Sequence, residues 1–558
     1  MFYKLIHTRI RYIFLFVFII LLCVIIKVFY IEVISYNKLK SLSDDLYSRN
    51  LPIKADRGKI VDRNGLVLAD NITTTSLVLV PRQIKDKEKV AKDLSDILGT
   101  SYEDMLAHVS KKTSIERVHP EGRRLSYETS DKINALNYDG VYLLKESKRY
   151  YPYKELLSHT LGYVGIDNQG LSGLELIYDE YLKGEDGSIK YFSDGKGNRL
   201  EMAQVYENPT DGITIGLTID LNLQKAVEGA LDEIVSKYTP EHALILAMDP
   251  QSGEILAMGS RPGFDPNNYK EYDTETINRN LPIWMTYEPG STFKIITLAS
   301  SIEEKTIDLF KDTFTDSGSI NVEGATLHCW KHGGHGTQTY LEVVENSCNP
   351  GFVSMGQKLG TQKLMSYIKS FGFGKKTGID LNGESNGILF NINKMGPVET
   401  ATTAFGQGIS VTPLQQITAV SAVVNGGNLY KPYIVKSLMN ESGALLDYNE
   451  KVLVKKVISK DTSSLVRFTL ESVVANGTGR NAYIENYRVG GKTGTAQKVV
   501  DGKYSSSSYI LSFVGFMPAD NPKIVIYVAI DGAKNVTQYG GTASAPVAKS
   551  ILTSAIDI

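Results

Sequence analysis

The chain has little cysteine, almost no net charge and almost no low-complexity sequence. Its three cysteines, Cys23, Cys329 and Cys348, are too few for a disulfide framework. A formal charge of −2 and a pI near 6.5 leave no basic stripe, so no nucleic-acid partner is expected. No internal repeat is visible. The one low-complexity run, Ser505-Ser506-Ser507-Ser508, reads as a loop. No Ala-x-Ala-like cleavage site follows the first apolar stretch, where Glu32-Val33-Ile34-Ser35-Tyr36 stands instead. That argues against a cleaved signal peptide. Otherwise the composition is that of an ordinary folded protein, long enough for roughly two to four domains.

Residues 1–11 carry Lys4, Arg9 and Arg11 and no acid, and residues 12–26 carry no charge. Lys27 interrupts the apolar run, which resumes over 28–31. A span needs about 20 helical residues, and a lysine near its end can snorkel. The reading is a cytoplasmic tail over 1–11 and an uncleaved single-pass anchor over 12–34, with everything after it outside the cell membrane. Cys23 lies in this anchor and is expected to be inert.

Residues 35–215 show modest, mixed patterning. The cluster at 57–65 reads as a short strand closed by Asn64-Gly65. Arg149-Tyr150-Tyr151-Pro152 and the cluster at 170–175 are compact but offer no nucleophile with a base. They read as structural, with buried Arg/Glu pairs explaining their charges. Residues 184–197 read as an exposed loop. A second domain begins at 216. Residues 242–258 form an apolar hairpin around Asp249-Pro250-Gln251-Ser252-Gly253, and residues 509–517 and 524–530 form a second strand pair. Residues 545–556 form a closing helix. The fold expected is α+β, with a central antiparallel sheet built from both ends of this domain and flanked by helices.

Chemistry centres on Glu288-Pro289-Gly290-Ser291-Thr292-Phe293-Lys294. Pro289 and Gly290 break the preceding structure. Ile295, Leu298, Ala299 and Ile302 then recur at helical spacing, so one helix face is buried. Ser291 falls at the helix start and Lys294 one turn on, where burial can leave it neutral and able to take the serine proton. Ser-x-x-Lys alone is common. Ser347-Cys348-Asn349, read as a loop, and Lys492-Thr493-Gly494, read as an edge strand, complete an ordered set. Lys376-Thr377-Gly378 follows Phe371-Gly372-Phe373-Gly374 and reads as a loop outside that set.

The three motifs in this order are the signature of penicillin-binding proteins and serine β-lactamases. The chain resembles the class B penicillin-binding proteins, which are monofunctional peptidoglycan D,D-transpeptidases. The resemblance extends to the anchor, the clusters at 57–65 and 149–152, Gly406-Gln407-Gly408, Thr412-Pro413-Leu414-Gln415 and residues 492–497. It implies an elongated α/β pedestal of the dimerisation type over 35–215 and a transpeptidase domain over 216–558. No glycosyltransferase domain and no appended C-terminal repeat domain is expected. It also implies that Ser291 attacks a D-Ala-D-Ala stem peptide with Lys294 as base, while Ser347 relays the proton and Asn349 holds a substrate amide. Lys492 would supply positive potential. Thr493, Gly494 and Thr495 would bind the substrate, the two threonines at its carboxylate. The N–H groups of Ser291 and Thr495 would form the oxyanion hole. The implied partners are stem peptides, β-lactam antibiotics and a membrane glycosyltransferase.

His328-Cys329-Trp330-Lys331-His332-Gly333-Gly334-His335 adds a second pattern. Cys329, His332, His335 and Cys348 offer four ligands for a closed structural zinc site, while the chemistry itself needs no cofactor. A Cys329–Cys348 disulfide suits an oxidising compartment, and two free thiols suit a reducing one; all three readings stand. Paired cysteines at the Ser-x-Asn loop also resemble the sporulation-type members of the class, where the pair is a redox switch. The competing functions are a β-lactamase-like hydrolase or D,D-carboxypeptidase, and a non-enzymatic β-lactam sensor or cell-wall scaffold. The anchor and the large N-terminal domain argue against the first. The tail of residues 1–11 is too short to signal for the second.

Overall fold

The apolar N-terminal run folds as a single helix, α1 (Phe2–Phe29), continued by a π turn over Tyr30–Ile34. It is long and apolar enough to cross a membrane, with a mean hydropathy of 3.1, and none of it is buried by the rest of the chain. It fits a single-pass anchor. The helix begins at Phe2, so the basic tail is helical too. The chain was analysed as a computed structural model, which describes residues 2–40, 48–113, 115–193, 199–500 and 503–556.

Beyond the anchor the chain packs as two compact units. The first gathers Met1–Asp56, Thr73–Ser147 and Gly184–Asp211; the second gathers Arg57–Ile72, Lys148–Lys183 and Gly212–Ile558. The second unit thus takes residues 57–72 and 148–183 from before residue 216 as well as everything from 212 on. In the first unit, helices Lys87–Leu98, Tyr102–Ser110 and Tyr127–Leu136 cover a core of Leu77, Leu79, Leu94, Met105 and Ile133. Strands Ser48–Ile53, Gly187–Ser193 and Arg199–Glu207 form an antiparallel sheet in that order. The exposed loop expected over 184–197 is thus a strand from 187 to 193, and residues 194–198 lie outside the described residues.

The second unit is built on one antiparallel sheet. Its elements in chain order are α2 (Leu221–Tyr238), β1 (His242–Met248), β2 (Ile255–Arg261), α3 (Lys294–Glu303), β3 (Thr313–Asp316), α4 (Tyr340–Glu345), α5 (Asn349–Leu359), α6 (Lys460–Ala475), β4 (Gly490–Val500), β5 (Lys503–Met517), β6 (Ile524–Asp531) and α7 (Gly540–Ser554). The strand order is β2-β1-β6-β5-β4, every pair antiparallel, so both ends of the domain meet in one sheet as expected. Alternation assigns the two faces. Ala243, Ile245 and Ala247 of β1 join a core with α2 and α7, whereas Leu244, Leu246 and Met248 join the larger core around α3. Burial on both faces explains why these strands read as unbroken apolar runs. β6 is buried along its whole length.

Two local expectations change. Residues 505–508 lie within β5 and not in a separate loop, as an unpaired bulge between Val499↔Tyr504 and Gln497↔Tyr509. Every residue of α3 from Lys294 to Ile302 is buried, not one face only, because α5 and α6 and further helices of this unit pack around it.

Candidate active site

The turn carrying Ser291 is fixed by backbone contacts. Gly290 has φ +54°, in the left-handed region, and its N–H donates to the Gly406 carbonyl at 3.0 Å. A Cβ on Gly406 would stand 2.1 Å from the Gly290 oxygen, so only glycine fits there. Pro289 accepts from the Thr292 hydroxyl at 2.8 Å. One step earlier, the buried hydroxyls of Tyr287 and Tyr527 hydrogen-bond each other, tying this turn to β6. Ser291 emerges half-buried at the start of α3, and among the described residues its hydroxyl makes no hydrogen bond.

Lys294, one helical turn on, is 1 % exposed. Its Nζ donates to the Ser347 carbonyl at 2.8 Å, the Asn349 Oδ1 at 2.7 Å and the Ser347 Oγ at 3.3 Å. It also sits 5.0 Å from the centre of the Phe352 ring. Burial pushes this ammonium down to about 7, only partly opposed by the negative charge the thiols of Cys348 and Cys329 can carry. Lys492 reaches the same hydroxyl from β4: its Nζ donates to Ser347 Oγ at 2.7 Å. Burial, and then the charge of Lys294, push Lys492 well below the ordinary lysine range. Two lysines thus converge on one serine oxygen. Ser347 is held there with φ +53°, a left-handed conformation that a serine adopts only under constraint.

The loop expected at 347–349 is the N-terminus of α5. Cys348 is its N-cap, its sulfur accepting from the Gly351 N–H at 3.4 Å, and Pro350 sits in the first turn. Ser347 and Asn349 line the cleft, and Cys348 is fully buried behind them.

β4 is the edge strand expected for Lys492, Thr493, Gly494 and Thr495. Thr493 and Thr495 both line the cleft, as residues two apart on a strand must. A Cβ on Gly494 would meet Ser512 Oγ at 2.3 Å. The other Lys-Thr-Gly is a loop, its Thr377 N–H and hydroxyl both held by Glu384 at 2.6 Å. The cleft measures about 410 Å³, a size suited to a small ligand or a peptide end. A cavity of about 420 Å³ in the first unit, walled by the paired Arg123 and Glu146, holds none of these motifs.

Sequence reasoning missed five cleft residues: Trp330, Phe405, Thr478, Gln538 and Tyr539. Tyr539 had a signal in the Gly540-Gly541 pair that follows, since a Cβ on Gly540 would stand 2.2 Å from the Gly494 oxygen. Trp330 projects from the Gly-rich loop, its indole N–H donating to the Asn346 carbonyl at 2.8 Å.

The metal-ligand pattern is only partly gathered. Cys329, His335 and Cys348 come together, with Asp316 of β3 as the fourth group. His332 is exposed and not among them. A tight turn is the reason: the Gly334 N–H donates to the Lys331 carbonyl at 3.0 Å with Gly333 at φ +81°, which leaves His332 and Gly333 at the corner. Both cysteines are free thiols here, so this structure does not form the alternative disulfide. Asp316 accepts from His335 Nδ1 at 2.8 Å and from Cys348 Sγ at 3.3 Å. Burial works against its ionisation, but His335, the Gly318 N–H and the thiols outweigh it and hold the carboxyl down to about 2.

Comparison with known proteins agrees with this geometry. The family described as "Penicillin binding protein transpeptidase domain" matches residues 243–553, and "Penicillin-binding Protein dimerisation domain" matches residues 52–217. The chain is 52% identical over 549 residues to "Stage V sporulation protein D" of Bacillus subtilis, covering 98% of this chain and 85% of that protein. It is 32% identical over 561 residues to the "Peptidoglycan D,D-transpeptidase FtsI homolog" of Mesostigma viride, covering 95% and 92%. Among solved structures, "Penicillin Binding Protein 2X" of Streptococcus thermophilus superposes with a TM-score of 0.75 at 25% identity, covering 91% of this chain and 80% of that one.

Proposed function

The chain belongs to the class B penicillin-binding proteins, the peptidoglycan D,D-transpeptidases, and from that premise we propose how its own residues carry out the reaction. The carrying observation is the convergence of Lys294 and Lys492 on Ser347 Oγ, beside Ser291 in one cleft. The Ser291 oxygen forms a bond to the penultimate D-Ala carbonyl carbon and passes its proton to neutral Lys294. The oxyanion is received by the backbone N–H groups of Ser291 and Thr495, where loss of one donor costs roughly 100- to 1000-fold in rate. Collapse breaks the amide bond to the terminal D-alanine. Ser347, bonded to both lysines, relays the proton to the leaving amine. Thr493 and Thr495 hold the substrate carboxylate in the field of Lys492, and Asn349 orients a substrate amide. The amine of a second stem peptide then takes the acyl group from Ser291, and the proton route runs backwards. A β-lactam acylates the same oxygen and stays, because water is not activated there.

The test is intact mass after incubation with a fluorescent penicillin. One adduct is expected on the native chain, at Ser291, and none on Ser291→Ala with an unchanged melting temperature. Full labelling of the alanine variant at another serine would overturn the assignment.

Three finer features belong to the same reading. Lys4, Arg9 and Arg11 precede the apolar span, which supports a cytoplasmic N-terminus and an extracytoplasmic catalytic unit. Cross-linking consumes glycan strands that another activity must polymerise, which supports a membrane glycosyltransferase partner. The similarity to a protein named for sporulation supports a role in spore wall synthesis. A reporter fused after residue 60 should be active only outside the cytoplasm, and photo-cross-linkers in α1 should capture the polymerase in sporulating cells. A reporter active inside, or capture only in growing cells, would reverse these readings.

A further inference from the structure

We propose that Glu288 is a positioning residue which, through Tyr504, clasps the outer end of the β4–β5 hairpin to the Ser291 turn, and that this clasp binds the stem-peptide residues preceding D-Ala-D-Ala. The proposal rests on the transpeptidase reading and extends it to a longer stretch of substrate. One carboxylate oxygen joins three segments. Glu288 stands three residues before the nucleophile. Its Oε1 accepts from the Gly408 N–H at 2.9 Å and from the Tyr504 hydroxyl at 3.2 Å. Gly408 follows Gln407, which lines the cleft, and Tyr504 stands in β5 opposite Val499 of β4.

Local structure does not account for this carboxylate. Its Oε2 is buried with no hydrogen-bond partner among the described residues. Burial pushes the carboxyl up, and the Gly408 N–H and the Tyr504 hydroxyl offset that only in part. A carboxylate taken out of water without a cation costs stability. The Gly408 N–H needs only a neutral acceptor. What Glu288 adds is its grip on the hairpin.

The hairpin end needs such a tie. β6 pairs with β5 only from Ile510 onward, so the outer end is a two-stranded ribbon, which is marginal by itself. The bulge at 505–508 interrupts it further. Side chains hold it on both faces. Lys498 Nζ reaches Glu241 at 2.7 Å and Asp531 at 2.8 Å on one face, and Tyr504 reaches Glu288 on the other.

Gln497 is where the clasp meets the substrate. It lines the cleft with Thr493 and Thr495, and its Nε2 donates to the Ser505 carbonyl, next to Tyr504, at 3.1 Å. With the terminal carboxylate at Thr493 and the scissile carbonyl at the Thr495 N–H, a peptide extended along β4 runs on past Gln497. The residues that pass there precede D-Ala-D-Ala in the stem.

The experiment separates substrate length from chemistry. The full chain, in detergent, turns over two thioesters that release mercaptoacetate, whose carboxylate stands for that of the terminal D-alanine. The short one is an N-acylated D-alanyl thioester, and the long one carries two further stem residues. Native turnover tests the transpeptidase reading, and the variants' KM values test this one, so the two fail separately. Tyr504→Phe should raise KM for the long substrate about fivefold, the value of one hydrogen bond. Its kcat should stay within about twofold, and KM for the short substrate should not move. Glu288→Ala should raise the same KM at least as much, and Glu288→Gln, which keeps an acceptor for both donors, should restore it. If Glu288→Ala does not fold, Tyr504→Phe carries the test, since its ring is about half exposed. An unchanged KM for the long substrate in Tyr504→Phe would overturn the clasp. Equal rises for both substrates would also overturn it, as would a loss confined to kcat.

Discussion

Lys294 sets the pH dependence of the reaction. Lysine ordinarily titrates at 10.5, and burial brings this one down to about 7. A depressed value means that the neutral base dominates above that pH and is lost as pH falls below it. Penicillin acylation should therefore rise about tenfold per pH unit on the acid side and level off near pH 7. Rates measured across that range check it. A limb centred near 10.5 would show that Lys294 stays charged and is not the base, and Lys294→Gln should remove the limb altogether. The pair Ser291/Lys294 was legible because helical spacing puts residues three apart on one face. The metal-type cluster was only half legible. Spacing singled out Cys329, His335 and Cys348, but it could not tell which residue of the 331–334 turn faces outward. Nothing near Asp316 in sequence marked it as a partner of groups brought in by the fold.

At the scale of elements, the sheet was readable because its strands are buried on both faces, and β5 was misread where its residues are serines. Residues 505–508 stand at a register shift of the β4–β5 pair, between Val499↔Tyr504 and Gln497↔Tyr509, with the Ser505 hydroxyl accepting from the Ser507 and Ser508 N–H groups, so the strand passes there through a polar bulge. The Gly406 turn was visible only as a glycine motif, and the structure gives it a consequence. Its Cβ would meet the Gly290 oxygen at 2.1 Å and the Phe293 Cβ at 2.9 Å, at φ +86°. Gly406→Ala should cost about 1–3 kcal/mol of stability from backbone strain. It should also slow acylation beyond what unfolding explains, because the displaced atoms carry Ser291. Gly383→Ala, at φ +83° with nothing within 4 Å of its Cβ, should carry the strain alone and keep acylation intact. Melting curves and acylation rates of the two variants decide the matter, and equal acylation in both would refute the link to the Ser291 turn.

The interleaving of units across the whole molecule has one visible cause. Glu175 has a fully buried side chain, with Arg57 Nε at 2.6 Å on one oxygen and Arg149 Nε at 2.6 Å on the other. Arg57 also reaches Asp179 at 2.7 Å and the Glu175 carbonyl at 2.7 Å, and Arg149 reaches the Gly58 carbonyl at 2.7 Å. Three clusters that read as separate structural motifs are therefore one network. It draws residues 57–72 and 148–183 into the unit that holds the active site. Charges in a sequence advertise pairing but not the partner, so a linear boundary was the natural reading. The network's strength follows from desolvation. Removing one partner leaves a buried charge uncompensated, which costs about 3–5 kcal/mol, whereas an exposed pair contributes about 1 kcal/mol or less. Arg57→Ala should therefore lower the denaturation midpoint markedly, while Arg279→Ala, which breaks a pair 40% and 65% exposed, should barely move it. Acylation per folded molecule should be unchanged in both, since neither arginine touches the cleft. Denaturant titration followed by penicillin labelling measures the two quantities separately. An Arg57→Ala chain as stable as the native one would mean that hydrophobic packing alone holds these segments in place and the buried charges are incidental to the fold.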